Sequence, residues 1–71
     1  MTKLQAKRKA AGLTQAGLAG AAGISLRTLQ YYEQGALDIN KASAATVWRL
    51  AMALGCEMSE LLDTDLIMSE E

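Results

Sequence analysis

Arg27, Gln30, Tyr31 and Gln34 recur at spacings of three and four residues in the run from Leu26 to Gln34 of this 71-residue chain. On a helix, at about 100° per residue, Arg27, Gln30, Tyr31 and Gln34 share one side. Leu29, Tyr32 and Glu33 share the other, with Leu26 at the border. Arginine and glutamine can make paired hydrogen bonds to guanine and adenine edges in the major groove of duplex DNA, and a tyrosine can reach a phosphate or pack on a thymine methyl. A polar helix face taken alone is usually just a solvated surface. Its meaning depends on the elements that carry it.

Those elements are legible in residues 12–35, GLTQAGLAGAAGISLRTLQYYEQG. Two short helical runs begin at Thr14-Gln15 and Ser25-Leu26, and the corner Ala22-Gly23-Ile24 separates them. Thr14 and Ser25 stand where a side-chain oxygen accepts from the orphan amides of a first helical turn. Gly23 stands just after the first run, where the left-handed backbone that ends many helices suits glycine.

The segment resembles the helix-turn-helix of phage-repressor-like regulators, the Cro/C1 or XRE family. Gly12-Leu13-Thr14-Gln15, Leu18-Ala19, Ala22-Gly23-Ile24-Ser25 and Glu33-Gln34-Gly35 fall at the family's spacing. Thr46, Leu50-Ala51, Ala53-Leu54-Gly55 and Glu60-Leu61-Leu62 continue it, so that roughly residues 4–63 are covered. The resemblance implies an all-α, five-helix, lambda-repressor-like DNA-binding domain whose third helix enters the major groove. By position, Gln15 matches the glutamine that touches a phosphate and buttresses the recognition helix. Ser25, Leu26, Arg27 and Thr28 form the first turn of that helix. Arg27 is the leading base reader, followed by Tyr31 and Gln30. Leu26 departs from the more polar residue common there, so it reads a thymine methyl or marks a lost contact. Gly17 and Gly20 also depart, each weakening a helix interior by about 1 kcal/mol relative to alanine.

Composition bounds the alternatives. The chain has no proline, no phenylalanine and no alternating β-branched runs, which favours helices, and its length suits a single domain with a marginal core. One cysteine and no histidine leave no expected metal site, cofactor or catalytic constellation, so an enzyme is not expected. With no charged-then-apolar leader and no 18-residue apolar stretch, the expected location is the cytoplasm, with no membrane contact and no small-molecule substrate. Cys56 replaces a common valine of the family pattern and reads as a small core residue.

The net charge of −1 hides a split. Residues 1–35 carry five cations (Lys3, Lys7, Arg8, Lys9, Arg27) against Glu33, a balance of +4; residues 36–71 carry Lys41 and Arg49 against seven carboxylates, a balance of −5. The basic half meets phosphates, and the acidic half faces solvent or a basic partner.

Helices are expected near residues 2–11, 15–22, 26–34, 43–54 and 59–64, with Asn40 and Ser43 both able to cap the fourth. Arg8 shares the inward stripe of the first helix with Leu4 and Ala11. The resemblance implies a structural salt bridge from Arg8 to Glu33; the alternative is that Arg8 snorkels to solvent and touches DNA. In the fourth helix, Val47, Leu50, Ala51 and Leu54 turn inward. Trp48 and Met52 lie on its flank, and with the triplet Leu66-Ile67-Met68 they form a dimer contact or else cover the domain's own core. The division is a DNA-binding domain over 1–64 and a short apolar and acidic tail over 65–71. The expected function is a sequence-specific transcriptional regulator, a repressor of bacterial or phage origin that binds double-stranded DNA as a homodimer. The competing expectation is an antitoxin-like or adaptor module that binds a protein partner through the acidic C-terminal half.

Overall fold

The computed structural model describes residues 2–62. Four α-helices follow one another as α1 (Lys3–Ala10), α2 (Gln15–Ala22), α3 (Leu26–Gln34) and α4 (Ala44–Leu54). Single 3-10 turns lie at Ile39–Lys41 and Met58–Glu60, and no strand occurs among the described residues.

Each α-helix starts at a hydroxyl. The side-chain oxygens of Thr2, Thr14, Ser25 and Ser43 accept from the backbone N–H groups of Gln5, Gly17, Thr28 and Thr46, at 3.2, 2.9, 3.1 and 3.2 Å. Such a cap contributes about 1 kcal/mol. Of the two candidate caps for α4, Ser43 takes the role, because Asn40 is drawn into the preceding 3-10 turn, where its N–H donates to Asp38 Oδ1 at 2.9 Å. Gly23 ends α2 in the left-handed region at φ +70°. There the Ile24 N–H reaches back to the Ala19 carbonyl at 3.0 Å, and Ile24 folds onto the core. The same closing bond recurs after α3, from Ala36 to Tyr31 at 2.9 Å, and after α4, from Cys56 to Ala51 at 3.0 Å.

The expected fifth helix is not seen among the described residues. Residues 58–60 form one 3-10 turn, closed by Glu60 N–H to the Glu57 carbonyl at 3.1 Å and Leu61 N–H to the Met58 carbonyl at 3.0 Å. The Glu60 carboxylate accepts from the Glu57 N–H at 2.8 Å. So short a piece favours the tighter i to i+3 pattern, and it suffices to turn Leu61 into the core.

That core takes one fully buried leucine from each α-helix and one from just beyond the last 3-10 turn. Leu4 of α1, Leu18 of α2, Leu29 of α3, Leu50 of α4 and Leu61 are all fully buried. Ala19 and Ala22 let α2 lie close against α4 and α3. Ala11 departs from the expected inward stripe and is exposed, because α1 stops at Ala10 and Ala11 is its cap.

The two unusual glycines of α2 differ in surroundings. A methyl group at Gly20 would meet nothing within 4 Å, whereas at Gly17 it would stand 3.0 Å from Thr14 Oγ1, the atom that caps the helix. Gly20→Ala is therefore expected to raise stability by roughly 0.5 to 1 kcal/mol, and Gly17→Ala by less. Parallel thermal melts of the two variants measure the difference.

Candidate nucleic-acid interface

The polar face of α3 is built from its cap outward. Ser25 Oγ accepts from Thr28 N–H and donates to Thr28 Oγ1 at 2.7 Å, so both hydroxyls are held at the first turn. Leu29 and Glu33 are buried and Tyr32 is half-buried, which turns Arg27, Tyr31 and Gln34 to the surface. Leu26 and Tyr31 are exposed beside them, at 42% and 41%. Gln30 is half-buried, because its amide is drawn back toward α2.

Beneath this face a polar spine ties three helices together. Arg8 Nε donates to Glu33 Oε2 at 2.6 Å, and Arg8 Nη2 donates to Glu33 Oε1 at 3.1 Å. Arg8 Nη1 donates to the Leu13 carbonyl at 2.8 Å. Gln15 Nε2 donates to Glu33 Oε1 at 3.0 Å, and Gln30 Nε2 donates to Gln15 Oε1 at 3.3 Å. The Arg8 and Glu33 side chains are only 11% and 1% exposed, so the pair is internal and Arg8 does not snorkel to solvent. Thr2 adds a strap, its hydroxyl donating to the Glu33 carbonyl at 3.3 Å. Gln15 thus sits at the start of α2 with one N–H and its carbonyl already engaged. The reach of the first-turn residues is set by α1 and α2 as much as by α3.

Part of the charge of the N-terminal half is engaged within the protein. Lys7 Nζ pairs with Glu60 Oε1 at 2.7 Å, which joins the basic half to the acidic half at the surface. The hydrogen bond between them raises the Lys7 pKa above the usual lysine value and lowers that of Glu60 below the usual carboxylate value. Lys3 Nζ donates to the Leu62 carbonyl at 3.1 Å. Of the five cations counted in residues 1–35, Lys3, Lys9 and Arg27 remain exposed and outside any ion pair among the described residues, and Lys9 and Arg27 have no hydrogen-bond partner there either. Charge counting could not separate these three from the others, since the carboxylates that engage Lys7 and Arg8 lie 53 and 25 residues away in sequence.

The remaining candidates lie away from α3. Trp48 and Met52, one turn apart on α4, are 54% and 62% exposed. Leu66, Ile67 and Met68 lie outside the described residues. Cys56 is half-buried against the core, and burial pushes its thiol up from the ordinary value, the direction of an unreactive sulfur. Among the described residues no cluster of His, Cys, Asp or Glu could hold a metal ion, and no helix is long and apolar enough to cross a membrane.

Comparison with known proteins agrees with this geometry. The model of the helix-turn-helix family matches residues 4–61, from the first buried leucine of α1 to the last core leucine beyond α4. No curated protein and no solved structure matches the chain significantly. The family is a DNA-binding one of the transcription-regulator type and is normally non-enzymatic. With more than half of the chain inside the match, and with the two capped helices and their glycine corner in place, the chain belongs to the Cro/C1-type (XRE) helix-turn-helix family.

Proposed function

We propose that the protein is a sequence-specific transcriptional repressor that inserts α3 into the major groove of duplex DNA. The observation that carries this reading is the outward row Arg27, Tyr31 and Gln34, with half-buried Gln30 beside it, standing on a buried ion pair that ties α3 to α1. In this reading Arg27 reads a base pair, Tyr31 and Gln30 extend the footprint, and Leu26 packs on a thymine methyl. Ser25, Thr28 and the free N–H of Gln15 meet phosphates. Residues 1–64 form the binding domain and residues 65–71 a tail. No cofactor enters the mechanism, and the setting is the cytoplasm of a bacterium or a phage host. Selection from random duplexes, followed by a reporter under the selected site, tests it: a defined site and lowered expression are expected, and retention of every duplex alike would defeat it.

A single short helix reads too few base pairs to be selective in a genome, which favours two copies on a palindrome, recognition helices about 34 Å apart. Trp48 and Met52 are the apolar surface we assign to that contact, with Leu66, Ile67 and Met68 as its extension. Analytical ultracentrifugation with and without the selected duplex is expected to show two chains per site. A complex of one chain per site overturns the dimer.

The pairing of Lys7 and Arg8 has its own consequence. With Lys3, Lys9 and Arg27 as the cations of residues 1–35 outside ion pairs among the described residues, log K should fall against log salt with a slope of about −3 per domain, or about −5 for a dimer. Engagement of all five N-terminal cations would give about −9 for the dimer. Fluorescence anisotropy titrations at several salt concentrations separate the two.

A further inference from the structure

The hydrogen bonds beneath α3 have a direction, and it is imposed from the buried end. An arginine can only donate and an ionised carboxylate can only accept. Glu33 is held by Arg8, so whatever else approaches its Oε1 must bring an N–H. Gln15 therefore turns Nε2 toward Glu33, which leaves its carbonyl oxygen pointing the other way. Gln30 then satisfies that oxygen with its own Nε2. A free glutamine amide has two orientations of similar energy, but here the second would set two carbonyl oxygens against each other.

Gln30 Oε1 has no hydrogen-bond partner among the described residues, and no buried side-chain nitrogen or oxygen there lacks one. The atom is therefore not sealed from solvent. It lies on the helix side that also carries Arg27, Tyr31 and Gln34. One Nε2 hydrogen is spent on Gln15; the other has no partner among the described residues.

We propose that Gln30 is a specificity-determining residue that selects adenine over guanine, because the buried Arg8–Glu33 pair, acting through Gln15, fixes its side-chain amide with the carbonyl oxygen outward. An adenine edge offers a donor at N6 and an acceptor at N7, complementary to the free oxygen and free N–H. A guanine edge offers acceptors at both O6 and N7, so its O6 would face Gln30 Oε1. Gln15 is then a positioning residue for base choice in addition to any phosphate contact. The inference rests on the reading of α3 as the recognition helix, and extends it from which residues reach the bases to which base one of them accepts.

The test measures affinity for a set of duplexes in which each base pair of the selected site is replaced in turn, using the full chain and the variants Gln30→Ala, Gln15→Met and Arg27→Ala. The parent is expected to prefer adenine over guanine at one position by roughly 10-fold or more. Gln30→Ala should erase that preference. Gln15→Met, which frees the Gln30 amide to turn over, should shrink it severalfold while leaving the preference at the Arg27 position intact. A Gln15→Met protein that binds every duplex more weakly by one common factor, with its adenine preference unchanged, overturns the proposal and leaves the recognition-helix reading standing. Profiles unchanged in all three variants, Arg27→Ala included, overturn that reading and the proposal with it. The free parent protein supplies a readout independent of how Gln15→Met folds. The Gln30 side-chain NH2 protons should exchange with water more slowly than those of exposed Gln34 in NMR spectra, and equal rates overturn the link to Gln15.

Discussion

Replacing Arg8 by alanine is expected to lower the free energy of unfolding by roughly 3 kcal/mol, the scale for stripping one partner from a buried ion pair. The size follows from what stays behind. Glu33 is left in a nearly inaccessible position with only the Gln15 amide donating to its carboxylate, and the Leu13 carbonyl loses its Arg8 donor. An exposed pair such as Lys7 with Glu60 carries no comparable penalty, since water replaces the missing partner. Urea denaturation of Arg8→Ala, Glu33→Ala and the double variant completes a thermodynamic cycle, and a coupling energy indistinguishable from zero would falsify the energetic role of the bridge. Replacing both residues together by apolar side chains of similar volume should cost far less than either alanine alone, because no uncompensated charge remains.

Arg27→Ala is expected to weaken operator binding by about 1 to 3 kcal/mol and to relax the preference at one base position, while leaving the fold intact. The side chain is exposed and has no partner among the described residues, so its removal opens no cavity and orphans no buried group. Lys9→Ala makes the useful contrast. A cation that meets only phosphate should weaken all duplexes by a similar factor and make the salt slope shallower by about 1. Anisotropy titrations against matched and singly substituted duplexes compare the two. If Arg27→Ala binds every duplex as tightly as the parent, Arg27 is not a base reader.

The bounds of α2 and α3 followed directly from Thr14, Ser25 and Gly23, because a cap bond spans three residues and a glycine corner five, distances over which the chain itself brings the partners together. The outward and inward sides of α3 followed from helical periodicity for the same reason. Periodicity misled at Ala11, where the helix had already ended. The fifth helix expected near residues 59–64 is not seen among the described residues, where one 3-10 turn delivers Leu61 to the core; residues 63 and 64 lie outside them.

The amino-acid sequence by itself determined the family, the capped helix pair and the row of side chains that α3 turns outward, since all of these rest on contacts between near neighbours along the chain. Only the tertiary structure decided which charges are free and which way the amides point. Lys7 meets Glu60 across 53 residues, and Gln15 meets Gln30 across 15. Such pairings depend on how the helices and the turn beyond α4 pack around the buried leucines, and no local pattern encodes the distance between two elements. Among the described residues Lys7 and Arg8 are thus held in ion pairs while Lys3, Lys9 and Arg27 are not, and Gln30, placed by periodicity among the base-reading candidates, has its amide oriented by a carboxylate two hydrogen bonds away.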